Sequence, residues 1–163
     1  MRTPASIAGH PIHPMIVPIA IGGFLLSFVF DIVCLVKGVT TPWSTVAYYT
    51  MIGGIVGALC AAVFGLVDVF SLRDPYTRKI GFTHMGINLV VVALFICNAW
   101  IRHADASPSG APFIMSVVGI LLLVVSGWLG GKMVYEAGVG VSGAEATTGA
   151  TAAPRATHRQ REA

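Results

Sequence analysis

Charge is what this sequence has least of. Only 10% of its 163 residues are Asp, Glu, Lys or Arg, against about a quarter in ordinary globular chains. So few charges cannot cover a soluble domain of this length. With 55% of the residues apolar, lipid is the expected solvent. The positive excess is small as well. A net charge of +3 fits contact with anionic headgroups better than nucleic-acid binding. Cysteine is also scarce: Cys34, Cys60 and Cys97 each lie in an apolar run, and no two form a CxxC pair. They are expected as buried small apolar residues. Cys34 and Cys97 fall at similar depth, but no feature pairs them. A Cys-rich cluster, a GxSxG elbow and a P-loop are all missing, so no soluble enzyme chemistry is visible and the chain is read as non-enzymatic. Residues 1–14 lack a long apolar stretch before a small-residue cleavage site, so no removable signal peptide is expected.

What the chain has in abundance is long apolar runs. Four stand out, at 15–36, 46–70, 80–101 and 112–135. A helix rising 1.5 Å per residue needs about 20 residues to cross a hydrocarbon core about 30 Å thick. Each run is long enough, and backbone groups in lipid must be satisfied within the segment, so each is predicted to be a helix. The links between them are short. Gly38 and Pro42 mark the first, Arg73, Asp74 and Pro75 the second, and RHADASPSGA from Arg102 to Ala111 the third. Short links imply an all-α, up-down-up-down four-helix transmembrane bundle over residues 1–136. Beyond it, residues 137–163 turn rich in Gly, Ala, Thr and Ser, and read as a disordered cytoplasmic tail.

Orientation follows from Lys and Arg. Four spans place Arg2, Arg73, Arg78, Lys79, Lys132, Arg155, Arg159 and Arg161 on one side, and Lys37 and Arg102 on the other. Positive charge favours the cytoplasm, so both termini are expected inside, in the plasma (inner) membrane. The runs also hold many small residues, as in GGIVGALCAAVFG (53–65) and SGWLGG (126–131). Such residues let helix backbones approach closely. The alternative is that they make room for a flat cofactor. A homo-oligomer is compatible with both.

The polar residues inside the spans are few and concentrated. His10 and His13 lie in GHPIHP at the entrance of the first span. Asp68 is close to the end of the second. His84 and Asn88 are one turn apart at the start of the third, and Lys132, Tyr135 and Glu136 close the fourth. The topology brings all of these to one membrane face. Ionisable groups at such positions are costly and usually mark function. Pro11 and Pro14 stiffen the histidine segment, proline being tolerated in a helix's first turn. His84 and Asn88 share a helix face.

Three readings of this cluster stand side by side. In the first, His13 or His10 and, on another helix, His84 are the axial ligands of haem b, with Asn88 beside them. In the second, His10, His13, His84 and Asp68 bind a single zinc or iron ion. In the third, the groups bond to one another, to backbone or to headgroups, and hold no cofactor. In every case Asp68 is expected to contact His10, His13 or His84, directly or through one water, because an unpaired carboxylate at that depth is costly. Asp31 is read as an interhelical hydrogen-bonding group, with a relay role as the alternative. His103 and His158 are read as solvated, and Trp128 as a packing residue.

Four segments in order, GHPIHP, GLVDVF (65–70), THMGIN (83–88) and SGWLGGKMVYEAGVGV (126–141), resemble the bacterial membrane family called domain of unknown function 2231. The resemblance covers about residues 8 to 141. It implies a four-span membrane protein. Members that are fused to Rieske iron–sulfur or cytochrome c-type domains imply a redox setting. That favours haem over a structural metal, at His10, His13, Asp68, His84 and Asn88. This chain carries no such fused domain, so the implied electron partner is a separate protein or a quinone.

Overall fold

The computed structural model describes residues 3–38, 41–102 and 107–141. Four helices make up most of it: α1 (Ile12–Lys37), α2 (Thr41–Ser71), α3 (Pro75–Arg102) and α4 (Ala111–Tyr135). Each is long and apolar enough to cross a membrane. The chain forms the expected all-α four-helix membrane bundle.

Two helices, α2 and α3, begin five residues before their apolar runs, and prolines explain why. Pro42 and Pro75 sit in the first turns of α2 and α3, where a missing N–H costs no hydrogen bond. Asp74 then caps α3: its Oδ2 accepts the Thr77 amide and the Thr77 hydroxyl, both at 2.7 Å. Asp74 is therefore a helix cap. The Thr77 hydroxyl, followed by the amide, holds its carboxyl below the ordinary carboxylate range.

The entrance to α1 differs from a plain helix start. A short antiparallel hairpin precedes it, pairing β1 (Ser6–Ile7) with β2 (His10–Pro11). Ala8 and Gly9 turn it with φ of 50° and 81°, the left-handed pair that tight hairpins require. At the other end of the chain, residues 137–141 were expected to belong to the tail but fold back as a turn. Val139 N bonds to the Met133 carbonyl at 3.0 Å. A Cβ on Gly140 would fall 2.9 Å from Pro11 Cγ, so this turn lies against the hairpin. Residues 142–163, including His158, lie outside the described residues, as does His103.

Packing divides the bundle into two helical hairpins. α1 and α2 pack extensively, as do α3 and α4, whereas α2 meets α3 less and α1 meets α4 least. Small residues close the first pair. Gly23 abuts Gly54, and Gly57 abuts Ile19 and Ala20. Between the hairpins the core holds Phe24 stacked on Phe95, ring centres 4.0 Å apart and planes 7° apart, with Met51, Ile55 and Val91 around them. Gly54 lies flat against Phe24 and Gly119 against Phe95. Most other large apolar side chains, Leu26, Val63, Leu121 and Trp128 among them, face outward as lipid-facing residues do. Cys34 is buried as expected, but Cys60 and Cys97 are on the outer surface.

A fully buried ion pair ties the hairpins together at one end. Arg102, assigned by its sequence position to the outer loop, is the last residue of α3 and points into the bundle. Its Nη1 and Nη2 donate to the two carboxylate oxygens of Asp31 on α1, each at 2.6 Å. One turn back, Asn98 Oδ1 accepts from Arg102 Nε at 2.7 Å and turns the guanidinium inward. On α4, the Ser116 hydroxyl donates to Asp31 at 3.0 Å and accepts from Asn98 at 2.9 Å. Asp31 is thus an interhelical hydrogen-bonding residue, with an arginine as its main partner.

Candidate functional site

A cavity of about 400 Å³ lies between the two hairpins, lined mostly by apolar side chains from all four helices. His13, Asp68, His84 and Asn88 line it. His13 belongs to the α1–α2 hairpin and His84 to the α3–α4 hairpin. Their ring centres are 6.4 Å apart and their planes stand at 84°.

Each imidazole is fixed by a backbone carbonyl of the neighbouring helix. His13 Nδ1 lies 2.8 Å from the Ala61 carbonyl on α2, and His84 Nδ1 lies 2.9 Å from the Ser126 carbonyl on α4. A carbonyl can only accept, so each Nδ1 must carry the proton. In the neutral rings this leaves Nε2 with its lone pair. A carbonyl on one ring nitrogen is the usual way a protein orients a metal-binding histidine and sets its tautomer. Glycine makes this possible on both sides. A Cβ on Gly65 would sit 2.9 Å from His13 Nδ1, and one on Gly130 would sit 3.3 Å from His84 Cε1. The small residues therefore serve several ends. Some close helix on helix, some admit the phenylalanines, and these two admit the histidines.

Asn88 stands beside His84 as the i,i+4 spacing predicts. Its Nδ2 is 2.6 Å from Ser126 Oγ, 2.9 Å from the His84 carbonyl and 3.1 Å from His84 Nε2. Ser126, through its carbonyl and its hydroxyl, is the residue that sequence reasoning missed. The signal available was its place one turn before Gly130, on the face that meets His84.

His10 and Asp68 are placed differently from His13 and His84. His10 is an exposed strand residue whose Nδ1 lies 3.1 Å from the Ala8 carbonyl, because the Ala8–Gly9 turn points it away from the cavity. Asp68 Oδ1 accepts the Ala5 amide at 3.1 Å, so its hydrogen bond goes to the N-terminal hairpin rather than to a histidine. That bond fastens the hairpin over the mouth of the cavity. Among the described residues, no three His, Cys, Asp or Glu side chains are grouped to hold one metal ion. The set of His10, His13, His84 and Asp68 is therefore not assembled in this geometry, and what remains is a facing pair.

Residues 9–143 match the model of the family described as a predicted membrane protein, domain of unknown function 2231. The chain belongs to that family. The match spans the hairpin, all four helices and the closing turn, so in this member of domain of unknown function 2231 the histidine pair lies inside the family region. No curated protein and no solved structure matches the chain.

Proposed function

We propose that this protein is a haem-binding electron-transfer protein of the membrane, in which His13 and His84 would hold haem b. One observation carries the reading. Two imidazoles stand on opposite walls of an apolar cavity, each with Nδ1 committed to a carbonyl and Nε2 left as the ligating nitrogen. With ring centres 6.4 Å apart, the two imidazoles are close enough for one ion to be shared between them. The donor set of two neutral histidines suits haem iron. Bound there, haem supplies one-electron chemistry. The chain's own part is to hold the two imidazoles in one tautomer, exclude water with apolar walls, and keep His84 oriented through Ser126. Asn88 can give up its contact with Nε2 because the His84 carbonyl and Ser126 Oγ also accept its amide. The implied electron partner is a separate protein or a quinone.

Protein purified in detergent from haem-replete cells is expected to show a Soret band and sharp visible bands on reduction. His13→Ala and His84→Ala should each abolish the sharp bands, and His10→Ala should leave them in place. Colourless protein that stays without haem after reconstitution would remove the reading. Stoichiometric zinc or iron lost on His84→Ala would replace it with a metal site.

The same reading has an orientation, with the histidine end in the cytoplasm of a plasma (inner) membrane protein. Burial of Arg102 against Asp31 sharpens the charge argument, since Arg102 is not available to headgroups. Lys37 alone then opposes Arg73, Arg78, Lys79 and Lys132 among the described residues. A periplasm-only reporter enzyme fused after residue 163 should be inactive, and one inserted near Ser107 should be active. The reverse pattern would put the histidine end outside.

A further inference from the structure

The walls of the cavity are not alike. Where α2 faces α3, the edge carries the long side chains of Leu59 and Leu66 from α2 and Leu89 from α3. Where α1 faces α4, the edge carries Pro14 and Pro18 from α1, and Gly127 and Gly131 from α4. Each pair is spaced i,i+4, so each makes a short strip along its helix. By helical spacing, Pro14 and Pro18 lie on the side of α1 turned from Gly23, which meets α2, and Gly127 and Gly131 lie beside the Ser126–Gly130 face that meets α3. Pro14, Pro18 and Gly127 are exposed on the lipid side while they also line the cavity. This seam is also more sparsely packed than the α2–α3 seam. A Cβ on Gly127 would meet nothing within 4 Å.

The polar end of the cavity is better closed. The N-terminal hairpin is fastened there by the bond from Ala5 to Asp68, and the turn at Gly140 packs against Pro11. Opening that end means breaking a hydrogen bond and undocking two segments. Opening the α1–α4 seam requires neither, because among the described residues no hydrogen bond or ion pair crosses it at Pro14, Pro18, Gly127 or Gly131. A flat, largely apolar molecule that dissolves in the bilayer meets its lowest barrier there.

We propose that haem reaches the His13–His84 pair sideways from the bilayer, through the seam between α1 and α4 lined by Pro14, Pro18, Gly127 and Gly131. The inference rests on the haem reading and adds its route of entry. Lipid is then the immediate donor of the cofactor, and the hairpin end stays shut during loading.

The test uses full-length protein without haem, reconstituted in phosphatidylcholine vesicles that carry haem, with loading followed at the Soret band. Gly127→Leu places a side chain in the seam where the structure has open space. It should slow loading by about tenfold or more, each added barrier of 1.36 kcal/mol being worth that factor, with the melting temperature unchanged. Gly131→Leu is the second variant, since its Cβ meets only the Tyr135 ring, at 3.9 and 4.0 Å. Gly53→Leu is the control: Gly53 is exposed and also has nothing within 4 Å of a Cβ, but it lies outside the cavity lining. It should load like the wild type. Loading at the wild-type rate by both seam variants, or equal slowing in Gly53→Leu, overturns the route and leaves the haem reading intact. Wild-type protein that takes up no haem from vesicles or from detergent solution overturns both.

Discussion

Removing either charge of the Asp31–Arg102 pair is expected to destabilise the bundle more than removing both. Asp31→Asn leaves a guanidinium buried in the membrane with only neutral partners, the new amide, Asn98 and Ser116. Arg102→Met leaves a buried carboxylate with only the Ser116 hydroxyl. Breaking a buried ion pair from one side costs about 3–5 kcal/mol in soluble proteins, because the remaining charge is uncompensated. The penalty inside a bilayer has the same sign. Replacing both, as Asp31→Leu with Arg102→Met, removes the stranded charge together with the attraction. That double variant should lie within about 2 kcal/mol of the wild type, since well-packed apolar replacements of buried pairs are often neutral. Asn98 keeps a partner in either background, because its Nδ2 also donates to the Pro112 carbonyl at 2.9 Å. The measurement is a double-mutant cycle on unfolding in mixed micelles. Single variants whose losses are small and simply add in the double would show that the pair carries no coupling, and that the hairpins are joined by apolar packing alone.

That pair also shows where reading the sequence runs out. The four spans were legible because length and apolar content alone decide them in lipid. Their order then placed His13 and His84 at the same end, since a short-linked bundle returns every second helix terminus to one face. Other features depend on contacts between distant residues, which no local pattern carries. Arg102 reads as a loop charge until α3 is seen to continue one residue past the apolar run, with Asn98 steering the side chain inward. His10 reads as a twin of His13 because the two share a Pro-flanked repeat, yet the left-handed backbone at Ala8 and Gly9 separates them. Asp68 sits at the expected depth, but the hydrogen bond it makes goes to the Ala5 amide, a group whose nearness depends on the hairpin folding back. The carbonyls of Ala61 and Ser126 could not be foreseen at all, because every residue has one. Only the glycines at 65 and 130, set where the imidazoles must fit, left a trace in the sequence.

Gly23→Ala is expected to cause the other large loss, although it adds a single methyl group to a membrane helix. Its Cβ would fall 2.6 Å from the Cα and the N of Gly54 and 2.8 Å from the Thr50 carbonyl oxygen. These are backbone atoms, so no side chain can turn aside, and α1 and α2 would have to separate along their length. Overpacking of this kind costs about 1–3 kcal/mol in soluble cores and occasionally more; with backbone on both sides, about 3 kcal/mol is expected here. The effect should reach the histidine end, because α2 supplies the carbonyl of Ala61 that holds His13 and the glycine that admits its ring. A shift of α2 away from α1 lengthens that 2.8 Å bond and frees the imidazole to rotate. Gly22 is the matched control. It is the preceding residue on the same helix, and a Cβ there meets nothing within 4 Å. Gly22→Ala should change stability by no more than about 1 kcal/mol, in the favourable direction if helix propensity holds in lipid as in water. Thermal and denaturant unfolding in micelles compares the two variants directly. If Gly23→Ala proved as stable as Gly22→Ala, the close approach of α1 and α2 could not be what sets the wall that carries His13.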